Sequence, residues 1–151
     1  MMRRPRILIV DDEPGVVRLL ALMLTKRYEI LVEVDATQVL EATVKFKPHL
    51  VLLDLVMPKI PGQEVAQQIR GDSRVCDTPI LILSAIVLKR DARTEVAGCP
   101  AIAKPIRVSE LVVAIEEQLE KRADFDALTL QDRSTPTFHF DAARSDPHCG
   151  G

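Results

Sequence analysis

Leu50-Val51-Leu52-Leu53 is an unbroken aliphatic run closed by Asp54, with Pro58 shortly after it. A helix packed on one side alternates apolar and polar positions with a period near 3.6. A short run with no polar position suits a strand covered on both faces, the central strand of a parallel sheet. Pro58 has no backbone N–H and fixes its own φ, so regular pairing stops before it. The charge of Asp54 is thus delivered to the carboxyl edge of the sheet, where open α/β folds bind ligands. Taken alone, Asp54 has the ordinary alternative of a turn or capping residue.

The rest of the chain supplies the partners that such a strand needs. Arg6–Val10 is a second aliphatic run, closed by Asp11-Asp12-Glu13. Pro14 then opens a helix carrying Val16, Val17, Leu19, Leu20, Met23 and Leu24 to about Lys26. Glu29–Val34 predicts a strand. Asp35 and Thr37 offer capping oxygens to a helix that ends before Pro48. After the central run, Pro58, Pro61 and Gly62 punctuate a loop, and Gln63–Arg70 predicts a helix. Pro79–Leu83 predicts a strand ending in Ser84-Ala85, and Leu88–Ala97 a weaker helix stopped by Gly98. Pro100–Ala103 predicts a short strand ending in Lys104-Pro105. From Ser109 to about Arg122 a last helix carries Leu111, Val112, Ile115 and Leu119 as one stripe. Strand and helix alternate five times, which predicts a doubly wound parallel α/β sheet with right-handed crossovers.

This alternation occupies residues 1–122. From Ala123 to Gly151 the composition turns to Asp, Ser, Thr, Pro and Gly, which predicts a disordered tail or linker. The chain has no Trp, one Tyr and four Phe, so its core must be built of Leu, Ile, Val and Ala. A formal charge of −2 argues against direct nucleic-acid binding and against an anionic membrane surface. No apolar run approaches a membrane span of ~20 residues, and the start lacks a signal-peptide pattern, so a cytoplasmic location is expected. Cys76, Cys99 and Cys149 show neither zinc-ligand spacing nor CxxC, and are read as thiols.

Five polar residues stand just past strand ends: Asp11, Asp12, Asp54, Ser84 and Lys104. A parallel sheet puts all such ends on one side, so these distant residues converge. Three carboxylates in a partly desolvated cleft repel one another and call for positive charge. Oxygen donors with no His or Cys beside them favour Mg²⁺ over zinc, and Lys104 adds a mobile cation. Such a cleft, with a hydroxyl from Ser84, is built to stabilise a phosphoryl group. The economical chemistry is nucleophilic, with Asp54 taking the phosphoryl group as an acyl phosphate. Read singly, Asp11-Asp12 and Ser84 are capping groups and Lys104 a surface lysine. Those readings together require independent coincidences on one edge of one sheet.

The motifs Ile-Val-Asp11-Asp12-Glu13, Leu-Leu-Asp54-Leu-Val-Met-Pro58, Leu-Ser84-Ala85 and Lys104-Pro105, in this order, resemble those of the response-regulator receiver domains of two-component signalling. The resemblance covers about Arg6 to Arg122. It implies a flavodoxin-like (βα)5 fold with strand order 2-1-3-4-5. It implies Asp54 as phospho-acceptor, and Asp12, Asp54 and the backbone carbonyl of Val56 as Mg²⁺ ligands, with Asp11 acting largely through water. Lys104 would bond one phosphoryl oxygen and Ser84 another as the switch begins, and the peptide bond before Pro105 would be cis. Val56 and Ile86 would occupy the rim positions that govern attack by water. Ala101 stands where these domains usually carry the aromatic partner of the switch hydroxyl, so the usual aromatic readout is in question.

The function so implied is that of a phosphorelay receiver, not an ordinary enzyme. It would be phosphorylated by a sensor histidine kinase or a histidine phosphotransfer protein and signal through protein contacts, as a monomer or a phosphorylation-dependent dimer. The alternatives are a degenerate receiver that binds partners without phosphorylation, and an Asp-nucleophile phosphatase. The Asp-x-Asp pattern of the latter is missing after Asp54.

Overall fold

The computed structural model describes residues 4–85, 95–96 and 98–133, with side chains described as far as 123. The elements run β1 (Arg6–Val10), α1 (Pro14–Leu24), β2 (Glu29–Glu33), a 3₁₀ turn (Ala36–Gln38) and α2 (Val39–Phe46). They continue with β3 (Leu50–Asp54), α3 (Gly62–Arg70), β4 (Ile80–Ser84), β5 (Glu95–Val96), β6 (Cys99–Ala103) and α4 (Val108–Arg133). The sheet order is β2-β1-β3-β4-β6-β5. All pairings from β2 to β6 are parallel, and β5 pairs antiparallel with β6 at the outer edge. The five parallel strands therefore follow the flavodoxin-like order expected, with β6 as the fifth of them.

Period-two alternation divides the core into two layers. Leu8 and Val10 of β1, Val51 and Leu53 of β3, and Ile80 and Ile82 of β4 pack with Val39, Val65, Ala66 and Ile69 of α2 and α3. The intervening residues Ile7, Ile9, Leu50, Leu52, Leu81 and Leu83 pack with Val17, Leu20 and Leu24 of α1 and Leu111 and Ile115 of α4. Each residue of β3 is buried, because β3 has helices on both faces and strands on both edges. A fully buried Leu or Val there is worth about 1.5–3 kcal/mol of transfer free energy. Tyr28 closes the second layer: its ring is buried and its hydroxyl donates to Glu116 Oε1 at 2.5 Å. Burial, then this carboxylate, push the phenol far above its ordinary pKa.

Several boundaries differ from those expected. Leu19 and Leu22 of α1 are exposed, and only Val17, Leu20 and Leu24 are buried there. The start of α2 is preceded by a 3₁₀ turn in which Asp35 Oδ1 accepts from Thr37 N. The helix expected over Leu88–Ala97 is replaced at its end by strand β5, which turns through Gly98 at φ 77° into β6; the rest of that segment lies outside the described residues. Gly98 thus serves a hairpin, for which a positive φ is equally suited. The last helix does not stop near Arg122 but continues as backbone to Arg133. The composition shift at Ala123 carries no Gly or Pro before Pro136, so no stop signal accompanies it. The boundary expected at 122 falls inside this helix; of the tail expected over 123–151, residues 123–133 are helical backbone and the rest lies outside the described residues. Cys99 is buried and its Sγ accepts from the Arg70 guanidinium at 3.3 Å.

Candidate functional site

Four strand ends deliver their polar groups to the carboxyl edge of the sheet. Asp11 follows β1 and is 2% exposed; its N–H donates to Glu33 O at 3.3 Å, fixing it against the end of β2. Its Oδ1 accepts from the Glu13 N–H at 3.0 Å, which closes the turn into α1 and leaves Oδ2 facing the cleft. Asp54 ends β3 and is 6% exposed, with Leu55 N–H donating to Leu83 O at 3.3 Å just beyond it. Ser84 ends β4, fully buried, and its carbonyl accepts from the Lys104 N–H at 2.9 Å. That bond ties the end of β6 to the end of β4 and aims the Lys104 side chain inward.

The Lys104 ammonium lies 3.2 Å from Asp11 Oδ2 and 3.4 Å from Asp54 Oδ1. Asp11, Asp12 and Asp54 each offer a carboxylate oxygen, all within 4.8 Å of one another. Burial, then the charge of Asp11, raise the pKa of Asp54 above the usual carboxylate range, against the opposing pull of Lys104 and the Val56 N–H. Burial alone would lower the pKa of Lys104, but Asp11 and Asp54 outweigh it and raise it, so the ammonium stays charged. Among the described residues, one cation faces three carboxylates, which leaves the cleft short of positive charge. An all-oxygen, anionic donor set of this kind fits a hard divalent cation such as Mg²⁺ and gives a soft metal no thiolate or imidazole.

The other sequence-derived positions fall around this cluster. Val56 is 57% exposed beside the cleft, and its N–H bonds the Asp54 carboxylate. Ala101 lies in β6 opposite Ile82, half-buried against the layer that holds α2 and α3. The Lys104–Pro105 bond is cis. Ile86 lies outside the described residues, as do His139 and His148. His49 Nδ1 accepts from the Arg6 N–H at 2.9 Å, a structural role away from the cleft.

The loop from Asp54 to α3 holds features that sequence reasoning missed. Ile60 N–H donates to Pro58 O at 2.8 Å across Lys59, whose φ is 71°. This is a tight three-residue turn with a non-glycine residue in the left-handed region. The Lys59 ammonium lies 3.7 Å from Asp35 Oδ2. Gly62 N–H donates to Leu55 O at 2.9 Å and closes the loop. In the sequence Gly62 was only punctuation after Pro61. The signal available was a glycine at a helix start, where a side chain would have served as well unless another backbone came close.

Comparison with known proteins matches residues 7–116 to the response regulator receiver domain. The chain is 32% identical over 123 residues to the DNA-binding dual master transcriptional regulator RpaA of Synechocystis sp., covering 78% of this chain and 50% of that protein. It is 35% identical over 127 residues to the DNA-binding response regulator MtrA of Mycolicibacterium smegmatis, covering 80% of this chain and 53% of that protein. It thus spans about half the length of these relatives. Among solved structures, a sensor protein from Polaromonas sp. JS666 matches with TM-score 0.71 and 28% identity, over 79% of this chain and 98% of that one. The receiver domain of a sensor histidine kinase from Pseudomonas aeruginosa, with a magnesium ion coordinated in its active-site cleft, shares the fold. Its TM-score is 0.69 at 24% identity, over 78% of this chain and 98% of that one.

One expectation is corrected by these relatives. Both regulators bind DNA, which overturns the exclusion of nucleic acid drawn from a net charge of −2. The charge counted is that of this chain, which spans only about half of those proteins, so it cannot speak for a part beyond that span. Among the described residues no helix is long and apolar enough to cross a membrane. The match over residues 7–116, the sheet order and the relatives lead to one conclusion: the chain belongs to the response regulator receiver domain family.

Proposed function

We propose that this chain is a phosphoryl-accepting receiver: Asp54 takes a phosphoryl group from a phosphohistidine of a sensor histidine kinase or a histidine phosphotransfer protein. The observation that carries this reading is the Lys104 ammonium held at 3.2 and 3.4 Å from Asp11 and Asp54 at one sheet edge. An Asp54 carboxylate oxygen attacks phosphorus in line, the O–P bond forms, the P–N bond breaks, and the imidazole leaves with its electron pair. Lys104 then exchanges carboxylate for phosphoryl oxygen as its partner and remains cationic. The buried Ser84 hydroxyl, one strand over, turns to a second phosphoryl oxygen as the conformational signal.

Asp12, Asp54 and the Val56 carbonyl would hold Mg²⁺, with Asp11 acting through water; that ion supplies the positive charge needed to bring an anionic donor to an anionic cleft. Val56 is exposed beside the cleft and, by the family's pattern, Ile86 would be the second rim position; apolar residues at both would give an attacking water nothing to bond, which favours slow loss of phosphate. The chain is not an enzyme beyond assisting its own phosphorylation and dephosphorylation. The named activities of its relatives favour DNA binding as the output, made by a part corresponding to the half of those proteins that this chain does not span.

Incubation with acetyl phosphate tests the proposal, with intact mass as the readout. The wild-type chain should gain one phosphate in Mg²⁺ and little in a chelator, and Asp54→Asn should gain none. A degenerate receiver would gain none in either condition, and a phosphatase would consume the donor without holding an adduct.

A further inference from the structure

We infer that Gly62 is a positioning residue for Asp54, because its missing side chain lets the start of α3 press against the peptide that leads from Asp54 to Val56. The inference rests on the proposed role of Asp54 as phosphoryl acceptor. A Cβ at position 62 would lie 2.4 Å from the Asp54 carbonyl oxygen, 2.7 Å from Leu55 Cα and 3.0 Å from Leu55 O. All three atoms are backbone, so none can swing aside as the end of a flexible side chain would. The same approach forms the 2.9 Å bond from Gly62 N–H to Leu55 O.

The surroundings decide where a displacement would go. Upstream, Asp54 is held in the ladder opposite Leu83, and Leu55 N–H bonds Leu83 O. Downstream, Met57 is buried in the core and the Pro58–Ile60 turn is closed by its own hydrogen bond. On the helix side, Val65, Ala66 and Ile69 fix α3 against the sheet. The compliant part is the short segment between these anchors: the Asp54–Leu55 peptide and Val56. That segment sets the direction of the Asp54 carboxylate and carries the Val56 N–H that bonds it. Gly62 touches neither phosphoryl group nor metal; it acts through the peptide next to Asp54.

The glycines of the chain provide their own controls. A Cβ at Gly15, at the start of α1, meets nothing within 4 Å; at Gly71, the far end of α3, its nearest neighbour is Gln67 O at 3.2 Å. The experiment compares Gly62→Ala, Gly15→Ala and Gly71→Ala in the whole chain. Folded fraction, Mg²⁺ affinity by titration, and phosphorylation rate per folded molecule with acetyl phosphate are measured for each. Gly62→Ala should lower the rate by about tenfold to a hundredfold, the scale of a displacement near 1 Å at a reacting group. It should also weaken Mg²⁺ binding and shift the Val56 amide resonance. Gly15→Ala and Gly71→Ala should stay within about twofold of wild type.

A Gly62→Ala protein that is less stable but keeps wild-type rate and Mg²⁺ affinity per folded molecule overturns the inference and leaves a purely structural glycine. If Gly62→Ala does not fold, Lys59→Val carries the test. It strains the same loop through φ without a core clash, since β-branched residues avoid positive φ. A wild-type rate in Lys59→Val would then overturn the inference. Failure of wild type itself to accept phosphate would instead refute the role of Asp54, so the two failures are distinguishable.

Discussion

β3 and β6 each deliver one charged residue to the same cleft, yet they are built differently. β3 is paired on both edges and buried along its whole length, and it ends in Asp54. β6 is paired with β4 on one side and only the two-residue β5 on the other; of its residues Cys99 alone is fully buried, and it precedes Lys104. The proposed acceptor carboxylate therefore ends a strand buried along its whole length, and its cationic partner follows a strand buried only at its first residue. This division suits a site in which the nucleophile keeps its place while the lysine changes partners.

The largest expected effect sharpens that contrast. Leu52→Ala in β3 should cost about 2–5 kcal/mol, because the surrounding core cannot close on the cavity. Ile102→Ala in β6, already partly exposed, should cost about half as much. Urea unfolding midpoints give both, and equal losses would dissolve the distinction between the strands.

A second, smaller effect concerns the charge on β3. Burial and Asp11 raise the pKa of Asp54, so the folded state favours its protonated form. In metal-free buffer, its contribution to stability is fully present below the ordinary carboxylate value and is lost as pH rises through the folded value. Asp54→Asn lacks that dependence. It should therefore be more stable than wild type at neutral pH, by less than the Leu52→Ala loss, and added Mg²⁺ should narrow the gap. Thermal melts from pH 4 to 8, with chelator and with Mg²⁺, check the sign.

The smallest effect belongs to the edge. Gly98→Ala meets open space but must hold φ 77°, so its cost is backbone strain alone, about 1 kcal/mol. The loss should stay local to β5 and β6 in amide exchange, with phosphorylation unchanged. Faster exchange across β3 would show that the edge is coupled to the centre.

The same comparison explains what the sequence revealed. A strand buried on both faces must be aliphatic throughout, so Leu50–Leu53 announces itself, and the parallel alternation brings Asp11, Asp54, Ser84 and Lys104 to one edge. An edge strand carries little obligation: Glu95-Val96 is too short for any periodicity, and Gly98 fits a helix stop as well as a hairpin. The end of α4 lies beyond the change of composition because no Gly or Pro enforces a stop before Pro136. Gly62 and the positive φ of Lys59 were hidden for another reason. Gly62 reflects an approach of loop against helix start and Lys59 a local three-residue turn, and periodicity records neither. The nucleic-acid exclusion fails because the charge of this chain says nothing of the half of its relatives that it does not span.

The site of the acyl phosphate itself tests the account most directly. Wild-type chain loaded with acetyl phosphate in Mg²⁺ is treated with borohydride, which reduces an aspartyl phosphate to homoserine, and is then mapped by peptide mass spectrometry. The account predicts homoserine at position 54 and nowhere else. Homoserine at position 11 or 12, or none despite a stable phosphate adduct, would contradict it.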